Sequence, residues 1–320
     1  MTRRDGAIGV IMPRDLPAKD ITAFARRAEH LGFDELWVVE DLGYRGGLAQ
    51  AATVLAVTDR IRVGVGLLPA AARNVAFAAM EIAGLAQLHP GRVDIAIGHG
   101  MPSWMRDAGA WPRSPLTLLG EYLTVLKALL AGDEVHHDGR YVRVDGVRLH
   151  ESAVPDIAPD LFAGVRGPKS LAVSGTVADG TLLAEPATPE YVRQALARIA
   201  PTRPHRLTTY NVAAVDSDPA AALAAVRSAL AMVADPDWRP HIAPLPFVDD
   251  LLALRARHTD PAEFARALPD AWVRRLAIAG TPEQARSALA DVFAAGVTSA
   301  VLTPVGPDAL TALDALASVL

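Results

Sequence analysis

The chain has 320 residues, 51% of them hydrophobic and 21% charged, enough for one large domain or two average ones with an extensive core. Its net charge of −5 argues against nucleic acid or an anionic membrane surface as a partner. The absence of cysteine excludes disulfides, thiolate metal sites and a cysteine nucleophile, and it suits a cytoplasmic location.

Apolar, β-branched runs alternate with helical patterns along the chain. The predicted strands are 7–12, 35–39, 61–67, 93–98, 161–164, 181–184, 207–215 and 298–303. The first run stops at Pro13 and is too short for a signal peptide. Between the strands, Gly32 predicts a helix C-terminus, Asn74 a helix N-cap, and Thr281 with Gln284 a capping box.

Two stretches depart from this alternation. In 133–150, Asp138 with Gly139 and Asp145 with Gly146 are turn dipeptides between short alternating runs, which predicts an inserted β-hairpin. The stretch 236–270 is rich in proline and has a mixed helical pattern, so a helical insertion is expected there. The loop 99–115 after the fourth strand is long and holds two tryptophans.

Eight strand–helix units in this length predict a single α/β domain over 1–320, a (β/α)8 TIM barrel with insertions. A doubly wound sheet is the competing fold, but its dinucleotide fingerprint is missing. The nearest match begins at Gly98, lacks the third glycine and has Pro102 in the turn.

The stretch 160–180 predicts an anion site. An apolar strand ends at Gly164, the backbone turns through Gly167, and Pro168 stands where a helix would begin. Helix N-termini present free N–H groups and partial positive charge, and Arg166 and Lys169 flank this turn. An ordinary strand-to-helix turn with two solvated cations explains the pattern equally well.

Ionisable residues follow the ends of four predicted strands, where a barrel carries its active site. They are Glu40, Asp41, His99, Arg166, Lys169 and Glu185. Neither a nucleophile–base pair nor a metal-ligand spacing accompanies them, so the pattern favours a site that positions a cofactor. Helix capping, backbone anchoring or solvation are the alternative roles of these side chains.

We expect His99 to be the proton donor of this rim, because free imidazole titrates near ~6.5. Glu40 and Asp41 would need strong desolvation to stay protonated, so we expect them to orient a ligand. Gly98 and Gly100, on either side of His99, allow a ligand to approach the backbone closely. Anchoring of the loop by His99 is the alternative.

The sequence resembles the bacterial-luciferase-like oxidoreductases, and within them the branch that uses the deazaflavin coenzyme F420. Six segments carry the resemblance, in the family order: LGFDELWVVED (31–41), RIRVGVGLLPAAARN (60–74), LAQLHPGRVDIAIGHG (85–100), GVRGPKSLAVSGTVADG (164–180), LLAEPATPEYV (182–192) and GTPEQA (280–285). The pattern is most similar to methylene-tetrahydromethanopterin-reductase-like members. Sugar-phosphate dehydrogenases of the branch have histidine where Asp41 stands and glutamate near Met101, so the resemblance disfavours that substrate class.

The resemblance implies roles for several residues. The cofactor phosphate would lie on Gly164, Val165, Arg166, Gly167, Pro168, Lys169 and Ser170. Gly66 and Leu67 would lie behind the deazaflavin ring, where relatives often have a non-proline cis peptide. The ends of the second and fourth strands would face the reacting carbon.

Three functions remain open at this stage. The first is hydride transfer between F420 and a small organic substrate, with Asp41, Glu40, His99 or Glu185 as proton donor. The second is an FMN-dependent monooxygenase that takes reduced flavin from a separate flavin or F420 reductase. The third is a non-catalytic ligand-binding barrel. The sequence leaves the oligomeric state open, with a homodimer as one arrangement.

Overall fold

Strands and helices alternate along most of the chain in the computed structural model, which describes residues 6–320. Residues 1–5 of the predicted domain lie outside this range. The strands are β1 (Ala7–Ile11), β2 (Glu35–Val38), β3 (Arg62–Pro69), β4 (Val93–Gly98), β5 (Val135–Asp138), β6 (Arg143–Val147), β7 (Asp160–Gly164), β8 (Gly180–Leu183), β9 (Arg206–Val215), β10 (Ile278–Gly280) and β11 (Ser299–Pro304). The first α-helices are α1 (Ile21–Leu31), α2 (Gly47–Ala56), α3 (Val75–Leu88), α4 (Pro102–Asp107), α5 (Pro115–Leu130), α6 (Pro168–Val177) and α7 (Pro189–Ile199). The remaining ones are α8 (Pro219–Arg227), α9 (Arg239–Ile242), α10 (Val248–Arg257), α11 (Pro261–Ala267), α12 (Asp270–Leu276), α13 (Pro282–Ala294) and α14 (Ala309–Leu316).

Eight strands close into a parallel barrel in the order β9–β11–β1–β2–β3–β4–β7–β8, and β8 pairs back to β9. The predicted TIM barrel is therefore confirmed, and the doubly wound sheet is wrong. Strand β10, which pairs with the C-terminal end of β9, was not predicted, because three residues are too few to show a strand pattern of hydrophobicity. The stretch 99–115 was predicted as a loop, whereas α4 begins there at Pro102.

Two regions lie outside the strand–helix repeat. An antiparallel pairing joins β5 to β6 within the stretch 133–150. The short helices α9–α12 fill 239–276, preceded by a 3-10 turn at Pro236–Trp238. Their apolar side chains, among them Ile242, Leu251 and Phe264, pack in one cluster with α8 and the end of β9. The stretch 236–276 thereby sits over the C-terminal end of β9.

Helix ends follow the predicted capping chemistry. Gly32 ends α1 in the left-handed region with φ 94°, which favours glycine. The Asn74 side chain accepts the Ala76 N–H at the start of α3, and Thr281 with Gln284 forms the predicted capping box of α13. These caps fix where each connecting segment leaves the helix layer.

Aromatic side chains fill the inside of the barrel. Trp37 meets Phe162 edge-on at 5.7 Å and Tyr210 at 5.9 Å between ring centroids. Gly64 makes room for the indole, because a methyl group on Gly64 would lie 2.2 Å from the Trp37 ring. This packed layer forms the floor beneath the C-terminal ends of the strands.

A buried charge network closes the opposite, N-terminal end of the barrel. Arg206 donates to Glu35 at 3.0 Å, to Asp94 at 2.9 Å and to Asp160 at 2.8 Å. Glu35 also accepts from the Trp37 indole and the Ser299 hydroxyl. In a barrel this end serves stability rather than chemistry.

Within the described range, none of the helices combines the length and apolar character that a bilayer crossing requires.

Candidate active site

Four of the predicted rim side chains come together at the C-terminal end of the barrel. Asp41, His99, Arg166 and Glu185 follow β2, β4, β7 and β8. Beyond the effect of burial, the Arg166 charge lowers the pKa of both His99 and Glu185, and the Asp41 charge raises that of Glu185. Since Coulomb effects between partly exposed groups fade quickly with distance, these side chains share one local environment.

Glu40 and Asp41 have separate partners. Glu40 makes a two-pronged ion pair with Arg73, at 2.6 and 2.7 Å, and accepts the Gly47 N–H at 2.8 Å. Asp41 pairs with Arg14 at 2.6 Å. Hydrogen bonds between a guanidinium and a carboxylate are shorter and stronger than those between neutral groups. Glu40 therefore fixes the start of α2, while Asp41 presents a paired charge to the rim.

His99 is held between two elements. Its Nε2 lies 2.9 Å from the Ser170 hydroxyl, and the ring also donates to the Pro115 carbonyl. Burial, helped by the Arg166 charge, lowers the pKa of His99. The sequence took the pKa of this imidazole to be ordinary, which is wrong because desolvation and a neighbouring cation both disfavour imidazolium. At neutral pH His99 is uncharged and ties the β4 end to α6.

Glu185 is shifted in the opposite direction from His99, because its pKa is raised. Burial raises its pKa, and the neighbouring Asp41 charge adds to the increase while Arg166 opposes it. The peptide bond from Glu185 to Pro186 is cis, and the Glu185 carbonyl accepts the Trp238 indole N–H at 3.1 Å. Glu185 therefore keeps its proton to a higher pH than an exposed glutamate does.

The end of β3 carries the non-proline cis peptide that the resemblance implied, between Gly66 and Leu67. The β3–β4 register shifts at the same place. The Leu67 side chain fits against Gly98 and Gly164, where an added methyl carbon would lie 2.5 and 2.6 Å from it. The Tyr210 hydroxyl donates to the Gly66 carbonyl from below at 3.3 Å.

The predicted anion turn joins β7 to α6. Gly167 is the N-cap of α6 and offers no side-chain cap, Pro168 is the first helical residue, and a methyl carbon on Gly167 would meet no atom within 4 Å. Lys169 is exposed at the second helical position. The turn therefore presents backbone N–H groups toward open space.

Arg166 lies deeper in the same turn. Its guanidinium donates to the Asp237 carbonyl at 3.0 Å and lies 5.2 Å from the Trp238 ring centre. Val165 is buried behind it, with its N–H bonded to the Leu182 carbonyl, and Gly100 continues the facing β4 loop with φ 72°. The predicted cofactor residues thus lie on the neighbouring ends of β3, β4 and β7 and on the start of α6, with Gly66, Gly98 and Val165 buried.

Several residues of the site were missed by sequence reasoning. Arg14, Arg73, Tyr210 and Trp238 touch predicted site residues, and His241 contacts Pro186 beside Glu185. Arg14 follows the end of β1 by three residues, a position that could have singled it out, whereas Tyr210 lies in the middle of β9. Trp238 and His241 lie in 236–270, where the pattern was mixed. No metal-binding group of three or more His, Asp or Glu side chains occurs among residues 6–320.

The fold and this site together define a TIM-barrel protein with a glycine turn at the start of α6 and ionisable side chains at the C-terminal ends of its strands. A family profile described as luciferase-like monooxygenase matches residues 4–299. The chain therefore belongs to the luciferase-like monooxygenase family, which confirms the predicted resemblance.

Individual members of that family are similar to this chain over nearly its whole length. The chain is 28% identical to the 5,10-methylenetetrahydromethanopterin reductase of Methanolobus tindarius over 314 residues, 93% of this chain and 94% of the relative. Its fold is similar to that of the coenzyme F420-dependent tetrahydromethanopterin reductase from Methanopyrus kandleri, with a TM-score of 0.83, 21% identity and 98% of each chain covered. It is also similar to an F420-dependent secondary alcohol dehydrogenase in complex with an F420–acetone adduct, with a TM-score of 0.76, 21% identity and 98% of each chain covered.

Proposed function

We propose that this protein is an oxidoreductase that transfers a hydride between coenzyme F420 and a small organic substrate. The observation that carries the proposal is that an uncapped helix start at Gly167, Leu67 packed on Gly98 and Gly164, and a carboxyl of raised pKa at Glu185 lie at one end of the barrel. The relatives whose names specify an F420 reductase or dehydrogenase support the choice of cofactor.

The residues present suit a phosphate-bearing deazaflavin. The uncapped start of α6 at Gly167, with Arg166 and Lys169, would hold the phosphate, aided by the Ser170 N–H. The surface formed by Leu67 against Gly98 and Gly164 would support the ring, since side chains at either glycine would displace Leu67. The open space beside Gly167 and the two neighbouring cations support this placement of the phosphate.

Bound F420 would supply or accept the hydride, and this chain's residues would manage the accompanying proton. Hydride arriving at a carbonyl, imine or conjugated alkene creates negative charge that a nearby acid must quench. Glu185 suits this role because burial keeps its carboxyl protonated at a higher pH than usual. This replaces His99 as the proposed donor.

The other rim residues would act as positioning groups. Neutral His99 would hold the α6 start through Ser170, which sets the place of the phosphate. Asp41 with Arg14 would orient the substrate, and Glu40 with Arg73 would support the loop that follows β2. In each case the ion pair or hydrogen bond already in place carries the assignment.

Cofactor binding tests the proposal directly. We expect F420 to bind at micromolar concentration or tighter in an absorbance titration, and FMN to bind at least tenfold more weakly. Lys169→Ala removes one charge-assisted phosphate contact, worth about 1.5 kcal/mol or more, and should raise the Kd for F420 about tenfold. Arg198→Ala, exposed in the last turn of α7, is the matched control and should leave the Kd unchanged. Equal F420 affinity in both variants would place the phosphate elsewhere.

An FMN-dependent monooxygenase is the second candidate, favoured by the description of the family. Such an enzyme would take reduced flavin from a separate reductase and consume oxygen. Preferential binding of FMN in the same titration, with oxygen uptake by the reduced complex, would select this candidate over the first. Failure to bind either cofactor would leave a ligand-binding barrel.

We also propose that the barrel, the hairpin and the 236–276 helices form one domain that works in the cytoplasm, as the absence of cysteine suggests.

A homodimer would bury the outer face of α3. Phe77, Met80 and Leu88 are 66%, 58% and 74% exposed there, and their spacing puts them with Gly84 on one helix face.

Charge on this face tests the homodimer. Phe77→Glu would place an ionised carboxylate in the apolar contact, so we expect the dimer to dissociate at micromolar protein in sedimentation velocity. Met232→Glu, at another exposed apolar position, should remain dimeric. A monomeric parent protein, or a dimeric Phe77→Glu variant, would contradict the proposed interface.

A further inference from the structure

The carbonyl groups around Glu185 all receive hydrogen bonds from one short segment of the 236–276 region. The Trp238 indole N–H donates to the Glu185 carbonyl at 3.1 Å. The His241 Nδ1 lies 3.3 Å from the Pro186 carbonyl oxygen, and the ring is also hydrogen-bonded to the Ala184 carbonyl. Three successive backbone acceptors are therefore held by two side chains that lie three residues apart.

His241 can serve these carbonyls only as a donor. Burial lowers its pKa to about 3, so the ring is neutral in the working pH range, and a carbonyl only accepts. Its Nδ1 therefore carries the proton, while Nε2 is buried without a hydrogen-bond partner among the described residues. The ring is fully buried and packs on Tyr191 with 4.4 Å between centroids. This arrangement fixes His241 firmly.

The same segment also contacts the anion turn. Arg166 donates to the Asp237 carbonyl and lies over the Trp238 ring, and the Tyr191 hydroxyl donates to the Arg166 carbonyl at 3.3 Å. The segment is thus wedged between the ends of β7 and β8. Any movement of Trp238 changes the surroundings of both Arg166 and Glu185.

We propose that Trp238 and His241 are positioning residues that hold the Glu185 segment in its enclosed position at the rim. The inference rests on the proposed function, in which Glu185 supplies the proton. A side chain that donates a proton must be held within a fraction of an ångström of its working place. The two hydrogen-bond donors do this for a loop that would otherwise open toward water.

The measurable consequence is the protonation of Glu185. Arg166, Asp41 and Arg14 are the charged groups whose fields reach its carboxyl, with His241 and the Tyr210 hydroxyl as titratable neighbours. If the segment loosens, water reaches the carboxyl, the effect of burial diminishes, and the pKa of Glu185 falls toward its ordinary value.

Infrared spectroscopy of the cofactor-free protein tests this consequence. The C=O band of a protonated carboxyl, assigned by its loss in Glu185→Gln, is followed against pH. In Trp238→Phe, which keeps the ring over Arg166 and removes the N–H donor, we expect the midpoint to fall by about one pH unit. His241→Leu is also expected to lower the midpoint.

A second measurement uses F420. Trp238→Phe should keep its Kd for F420 within about twofold and lose about fivefold in turnover, a split that a general loss of packing would not give.

Trp272→Phe is the matched control, because Trp272 lies in the same region and its ring stacks on Phe247. It should leave the midpoint unchanged at similar thermal stability. Midpoints that stay at the parent value in both Trp238→Phe and His241→Leu would overturn the proposal. An active Glu185→Gln enzyme would instead refute the role of Glu185 under the proposed function, and the infrared midpoints would still decide the positioning role.

Discussion

Replacing Glu185 by glutamine is expected to slow hydride transfer by about 10²–10⁴-fold, the usual contribution of a positioned general acid. Glutamine has nearly the shape of a protonated glutamic acid, but it cannot release a proton to the substrate. F420 binding should change little, because the proposed phosphate contacts lie in the turn at Arg166 and Lys169. The measurement is single-turnover reoxidation of reduced F420, with the substrate found by screening ketones, imines and conjugated alkenes.

The pH dependence of the hydride-transfer rate is a second, independent test of Glu185 as the proton donor. An acid must be protonated to act, so the reaction should be fast below the pKa of Glu185 and should slow as pH rises through it. Because burial raises that pKa, the loss is expected at a higher pH than an exposed glutamate would show. In Glu185→Gln this limb of the profile should disappear.

His99→Gln and Asp41→Asn are the comparison variants. His99 is neutral because burial and Arg166 lower its pKa, so its removal should reduce the rate only through the position of α6. Asp41→Asn breaks the ion pair with Arg14 and should raise the KM for the substrate more than it lowers kcat. Loss of the pH limb in His99→Gln, with Glu185→Gln unaffected, would restore His99 as the donor.

The sequence predicted the scaffold well because local signals set it. Apolar runs, caps such as Gly32 and Asn74, and the turn at Gly167 each act within a few neighbouring residues, and all were confirmed at these places. The convergence of four strand ends followed from the barrel itself. Strand β10 and helix α4 were missed because both elements are short.

The pKa and the contact partners of each side chain could not be predicted in the same way. The pKa of His99 depends on Arg166, which lies 67 positions away, and Glu40 forms an ion pair with Arg73, 33 positions away. Trp238 reaches Glu185 across 53 positions from a stretch without clear periodicity. Such contacts depend on how the chain closes in three dimensions, and a single sequence carries no local mark of them.

The largest expected effect on stability lies at the other end of the barrel, in Arg206→Ala. Asp94 and Glu35 are 1% and 2% exposed, and both accept from this guanidinium. Removing one partner of a buried ion pair leaves charge without compensation and typically costs about 3–5 kcal/mol. Asp94 keeps its pair with Arg62 and Glu35 keeps two neutral donors, so we place the loss in free energy of unfolding at about 3 kcal/mol.

Two further variants separate charge from geometry in this network. Arg206→Lys keeps the positive charge but loses the planar fork that reaches Glu35, Asp94 and Asp160 together, so an intermediate loss is expected. Arg27→Ala removes an exposed ion pair with Asp314 and should change the free energy of unfolding far less than Arg206→Ala, because water and salt screen exposed pairs. Urea unfolding followed by tryptophan fluorescence measures all three, since Trp37 lies directly above the network. Equal midpoints for Arg206→Ala and Arg27→Ala would mean that Arg62 and the neutral donors satisfy the buried carboxylates without Arg206.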